Sequence, residues 1–266
     1  LKIKIMSNRS EYVTRDARQS MVKRSPKDDA RMDKPLVPIT SNLRRIPTAV
    51  DQRTILFLDG IRYSLEIADL TFNRLGQTVL EFDRDDHNGK PLGSLIVSLM
   101  TDAWMFIDCV HRLRELLQQT PRIKQNDPEL QLFLRRTSAI EQLRHFVQHL
   151  RSGIEAFVQR NMPLWGTLSW GNVAIKDGQL VCHIVIPGTY YTGVWARGVT
   201  VDLQEHRFCE RIVLMAGGFR VDLAEVFDQV TALAEWYTAW FERTFNDDPR
   251  HGSDVHHTVF VAQNVG

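Results

Sequence analysis

From Thr54 onward, apolar residues recur at steps of three and four: Leu58, Ile61, Leu65, Ala68, Phe72 and Leu75. That spacing puts them on one face of a helix, so the segment is read as amphipathic with one buried side. The polar run at 83–89 stops it. A second helix is expected over about 91–118, apolar on most sides (Leu95, Leu99, Trp104, Phe106, Ile107, Val110, Leu113, Leu117), as befits the centre of a bundle. Pro121 and the polar run 124–128 make the next turn, where Asp127 can cap a helix that has Pro128 at its first position. The third helix is then expected to run unbroken to about Arg160. Its stripe is Phe133, Ile140, Leu143, Val147, Leu150, Ile154 and Phe157.

After Met162-Pro163 the period changes to that of strands. The segments 168–175 and 180–186 flank Lys176-Asp177-Gly178-Gln179, and Asp-Gly between two such runs predicts a hairpin. Strand-like sequence continues at 199–203 and 208–215, and Gly217-Gly218 breaks it. Asp222, with Glu225 three residues on, can open a last helix over about 223–245. The predicted class is α+β and α-rich: an antiparallel helical bundle, then a small antiparallel sheet and a C-terminal helix. The expected division is a mobile basic arm over 1–50, the bundle over 51–162, a β-meander plus helix over 163–246, and a polar tail over 247–266.

Composition changes this picture in two places. The 266 residues are 43% hydrophobic and 24% charged, with a net charge of +1, ordinary for a globular chain with a core. That near-neutrality conceals an asymmetry. The first fifty residues carry 12 Lys/Arg against 5 Asp/Glu, so they hold +7 and the remainder −6. They are short of periodic apolar positions and punctuated by Pro35, Pro38 and Pro47, which reads as an arm unable to offset its ordering entropy. Such an arm can steer a protein to nucleic acid or to an acidic partner; the plainer reading is an untidy terminus.

The apolar run near 95–117 is interrupted by Asp102, Asp108, His111 and Arg112, so no membrane span is expected. No secretory leader is read, and a cytoplasmic setting is expected. Cys109, Cys182 and Cys209 lie far apart inside apolar runs, the arithmetic of buried, inert thiols rather than of disulfides or a thiolate metal site.

Candidate chemistry concentrates on the third helix, in Arg144-His145-Phe146-Val147-Gln148-His149. This resembles the R-(polar)-x3-H motif of HEPN-type ribonucleases. The resemblance covers one helix and a compatible helical context. It implies a helical bundle that works as a homodimer and cleaves RNA without a metal or cofactor, in toxin-like or defence settings. Arg144 and His149 are then the catalytic pair, with His145 in the variable polar position. An antitoxin or other assembly partner is left unspecified.

The chemistry is coherent with those residue types. Attack of a ribose 2′-OH on the adjacent phosphate needs a proton acceptor, a proton donor and a fixed cation. Imidazole titrates near neutrality, and a guanidinium fork matches phosphate oxygens. Residues five apart lie about 140° around a straight helix, so convergence calls for a bend, long side chains or a second copy across a dimer axis.

Alternatives stay open. The helix can belong to a non-catalytic interaction or structural protein, one subunit of a larger assembly, with Glu141, Arg144, His145, Gln148 and Arg151 simply meeting water. Glu141, His145 and His149, each four apart, could bind a metal if Asp108 or His111 joined them. Asp108 and Arg112 read as an intrahelical ion pair. Asp102 needs a partner if buried, Arg112 or Arg144 being in question, and an aspartate holding Arg144 (Asp102 or Asp108) would support the site. Tyr190, Tyr191, Trp195 and Arg197 resemble a base-stacking loop for single-stranded RNA, or else a cover for the sheet. Trp236, Tyr237, Trp240 and Phe241 make the last helix a second candidate interface.

Overall fold

The computed structural model describes residues 35–82, 89, 91–174, 179–189, 197–202, 207–245 and 254. Helices α1 (Gln52–Phe82) and α2 (Leu92–Gln119) pack along each other and form the spine of the bundle. The predicted stripe of α1 is its buried face: Leu58, Ile61, Leu65, Ala68 and Leu75 are sealed from solvent. The N-terminus of α1 is closed by Asp51, whose carboxylate accepts from the Thr54 backbone N–H and hydroxyl at 3.0 and 2.7 Å. By length and composition α2 could cross a membrane, yet Leu95, Leu99, Phe106, Leu113 and Leu117 are buried within the protein, the packing of a core helix.

The third helix of the sequence reading is three helices: α3 (Pro128–Arg136), α4 (Ser138–Gln148) and α5 (Leu150–Arg160). Asp127 caps α3 as expected, accepting from the Glu129 N–H at 3.0 Å, with Pro128 behind it. Thr137 and His149 mark the two breaks, with φ/ψ of −103°/13° and −111°/21°. Neither is a helix breaker by type. The break at Thr137 is held by Arg114 of α2, a buried guanidinium whose Nη1 donates to both the Leu134 carbonyl and Thr137 Oγ1 at 2.5 Å. At the second break the His149 N–H is shared between the carbonyls of His145 and Phe146, both at 3.2 Å. The bend lets Phe157 of α5 meet Phe146 of α4 edge-on, ring centroids 5.2 Å apart.

The predicted hairpin forms from β1 (Thr167–Ala174) and β2 (Gln179–Val185), paired antiparallel from Leu168↔Val185 to Ala174↔Gln179. Two-residue strands β3 (Val201–Asp202) and β4 (Arg207–Phe208) make a separate ribbon. β5 (Ile212–Ala216) pairs with β1, and β6 (Phe219–Asp222), absent from the sequence reading, continues the sheet in the order β2-β1-β5-β6. Gly217 and Gly218, with φ of +61° and +88°, make the tight β5–β6 connection. Helix α6 (Leu223–Phe245) begins and ends where the pattern placed it, and Asp222 Oδ1 accepts from the Ala224 N–H at 2.9 Å.

Bundle and sheet share one continuous core, in which Leu168, Trp170, Leu214 and Val221 join the helix residues. Phe227 of α6 stacks on Phe72 of α1 at 4.1 Å. On α6 Tyr237, Trp240 and Phe241 are buried in this core, and Trp236 packs half-buried against it.

Two further expectations are corrected. Residues 35–50 do not behave as an arm. Val37, Leu43 and Ile46 are buried in the core, and the 3-10 turn Asn42–Arg44 packs on α1 and α6. Residues 1–34 lie outside the described residues, as does most of the tail after Phe245. Of the three cysteines only Cys109 is buried; Cys182 and Cys209 are exposed.

Candidate functional site

The motif spans the end of α4 and the break into α5. Its arginine is engaged from the neighbouring helix: Arg144 Nε lies 2.7 Å from Asp108 Oδ1 of α2. The other oxygen of that carboxylate accepts from Arg112 Nε at 2.6 Å, the intrahelical pair expected from the spacing. Asp108 is thus clamped between two guanidinium groups, leaving a local net charge of +1. With the Gln148 amide oxygen turned toward Arg144, Nη1 and Nη2 donate to it at 3.1 and 3.2 Å. The guanidinium is partly buried, and the Arg112 side chain is largely exposed.

His149 sits at the break itself, as the C-cap of α4 and the N-cap of α5. Its ring packs against that of His145, centroids 4.4 Å apart and planes tilted by 52°. Both histidines are exposed. The structure therefore brings Arg144 to Asp108 and His149 to His145, and replaces a straight helix by a bend between the two members of the motif. Five residues span about 140° only on a regular helix, and this segment ends its helix before His149.

Asp102 is buried on α2, where Arg74 of α1 reaches it at 3.1 Å; it stands with α1, not with Arg144. Burial raises the Asp102 carboxyl above the ordinary aspartate range, and Arg74 pulls it back only in part. Glu141 is taken by Arg114, Nη2 to Oε1 2.7 Å. Among the described residues no three His, Cys, Asp or Glu side chains are gathered as a metal site, so Glu141, His145 and His149 do not form one. Tyr190, Tyr191 and Trp195 lie outside the described residues, and Arg197 is exposed.

The sequence reading gave Arg112 and Gln148 no part in holding Arg144. Gln148 lies four residues after Arg144, on the same helix face, and that spacing is the signal that could have found it. Beyond the break, Ile154 and Val158 of α5 are exposed, as are Leu164 and Trp165 just after it. No family model, no curated protein and no solved structure matches this chain.

Proposed function

We propose that the chain is a metal-independent endoribonuclease of HEPN type, acting at the α4–α5 break. What supports this reading is the Arg144–Asp108 ion pair on the same helix end that carries two exposed imidazoles in ring contact. A guanidinium paired by charge with Asp108 and hydrogen-bonded through its Nη atoms to Gln148 is held in place, and a fixed cation is what a phosphorane-like charge needs. In this reading Arg144 binds the scissile phosphate and His149 moves the proton between the 2′-OH and the leaving 5′-oxygen. His145 packs against the His149 ring and orients it. The residual positive charge of the Arg112–Asp108–Arg144 group draws the RNA backbone. A second copy of the chain, docked on the apolar side chains Ile154 and Val158 of α5, would complete the groove.

The test is incubation of the purified chain with total RNA in EDTA, beside Arg144→Ala and His149→Ala. Each substitution is expected to lower the cleavage rate by at least ~100-fold with the fold retained by circular dichroism. Cleavage that persists in both variants would overturn the assignment. A second reading, a non-catalytic helical interaction module, draws on the same ion pair: Asp108 between Arg112 and Arg144 is also how two helices are stapled together. Absence of cleavage in a well-folded, self-associating wild-type chain would favour it.

A further inference from the structure

Arg62 lies on α1, far in sequence from the tail, and its side chain is only 2% exposed. A buried guanidinium needs acceptors, and this one finds them 192 residues away. Its Nη2 donates to Asp254 Oδ1 at 2.8 Å and its Nη1 to Oδ2 at 3.2 Å, the two-pronged geometry that suits a carboxylate. The Tyr63 hydroxyl donates to the same Oδ1 at 2.7 Å, and Arg44 Nη1 stands 3.4 Å from Oδ2. The Arg62 guanidinium also lies over the Tyr63 ring, 4.1 Å from its centroid, which fixes its plane.

Two other carboxylates are near. Glu66 Oε1 is 3.5 Å from Arg62 Nη1 but only 2.7 Å from Arg44 Nη2, and Asp59 Oδ1 is 3.6 Å from Arg62 Nη2. They balance the charge of the two arginines without satisfying the Arg62 fork. Arg62 Nε is buried and finds no acceptor among the described residues, so the pairing rests on the two Nη atoms. The receptor side is rigid, built on a helix and held by a ring. The occupant arrives from the tail on a bent backbone (φ +62°) and keeps a side chain 40% exposed. Hydrogen bonds from Arg62 and Tyr63 hold the Asp254 carboxyl below the ordinary aspartate range.

We propose that Arg62, Tyr63 and Arg44 form a binding site for a single aspartate side chain presented on a peptide segment, and that Asp254 is its exchangeable internal occupant. The ligand class follows from the occupant: one carboxylate, presented on a peptide, matched by two guanidinium groups and a phenol. The site is independent of the α4–α5 break and of any reading of that break.

The probe is a fluorescein-labelled peptide of residues 249–259, titrated into the full-length chain and followed by polarisation. In the wild type the tethered Asp254 competes at millimolar effective concentration, so Asp254→Ala is expected to bind the peptide about tenfold more tightly. Asp254→Asn, whose side chain has almost the same size and shape, should show the same direction if the alanine variant folds poorly. A peptide with Asn in place of Asp254 should lose binding, and Tyr63→Phe in the Asp254→Ala background should weaken it several-fold. Equal binding by wild type and both Asp254 variants, or equal binding of the Asp and Asn peptides, would overturn the proposal.

Discussion

Asp108 holds Arg144 across a helix–helix contact while the other oxygen of the same carboxylate holds Arg112. Asp108→Asn keeps an acceptor in place but removes the charge that fixes the fork. If Asp108 positions Arg144 for cleavage, this variant should lose RNA cleavage by ~10-fold or more. Its unfolding free energy should fall by no more than about 1 kcal/mol, because the pair is in partial contact with solvent. A full cleavage rate alongside reduced stability would make Asp108 a staple and nothing more.

How far the sequence carries this site can be judged residue by residue. The Asp108–Arg112 pair was legible because four residues is one helical turn, and the start of α6 because Asp222 caps it. The Asp108–Arg144 pair was not, since only packing brings positions 36 apart into contact. The breaks at Thr137 and His149 escaped for the same reason: no Pro or Gly stands there, and the partner that opens the first is Arg114 of another helix. β6 was hidden because its four residues, the last of them the helix cap Asp222, are too few to show a period. Residues 35–50 misled because Val37, Leu43 and Ile46 are too sparse for any repeat, yet each fills a gap in the core.

Arg114 is where α2, α3 and α4 are tied together. Arg114→Ala removes the donor for the Leu134 carbonyl and Thr137 hydroxyl and leaves a cavity, which should cost ~3 kcal/mol. Glu141→Gln touches the exposed end of the same network and should cost less than about 1 kcal/mol. Urea unfolding of the two variants gives the ranking; equal effects would show that the buried bonds carry nothing extra.

The glycine pair between β5 and β6 separates two kinds of strain. A Cβ on Gly217 would lie 2.2 Å from the Phe146 ring of α4, in addition to the positive φ; a Cβ on Gly218 meets nothing within 4 Å. Gly217→Ala should therefore cost ~3 kcal/mol and Gly218→Ala about 1 kcal/mol. Because Phe146 lies inside the motif, Gly217→Ala should also perturb the α4–α5 break, visible as altered His145 and His149 ring signals by NMR. Unchanged histidine signals with the stability lost would confine the strain to the turn.

Thiol chemistry distinguishes the three cysteines. Burial, with the Asp108 charge adding to it, pushes the Cys109 thiol up to about 11; partial burial also raises the Cys182 thiol, yet Cys182 and Cys209 keep an exposed surface that a reagent can reach. A maleimide should therefore modify two thiols in the folded chain and the third only after denaturation, counted by mass. Rapid triple labelling under native conditions would contradict the packing of α2.

Acid stability should depend on Glu210. Burial pushes its carboxyl up, but hydrogen bonds from the Arg220 side chain and from Thr200 outweigh that and bring it down from 4.5 to about 2. Arg220 Nε donates at 2.9 Å and the Thr200 N–H at 2.6 Å, joining β6 to the segment before β3. A carboxyl with a depressed folded value binds fewer protons folded than unfolded. Its stabilisation is complete above about pH 4.5 and is lost as the pH falls toward 2. Asp69 and Asp102, both raised by burial, act in the opposite sense, gaining protons in the folded state first. The wild type should lose about 2 kcal/mol through Glu210 between pH 5 and pH 2, after allowance for the screening of a partly solvated pair. In Glu210→Gln that component disappears, so urea midpoints measured across the same range should fall less steeply. An identical slope in variant and wild type would mean that the Arg220–Glu210 pair also persists in the unfolded chain or contributes nothing to the fold.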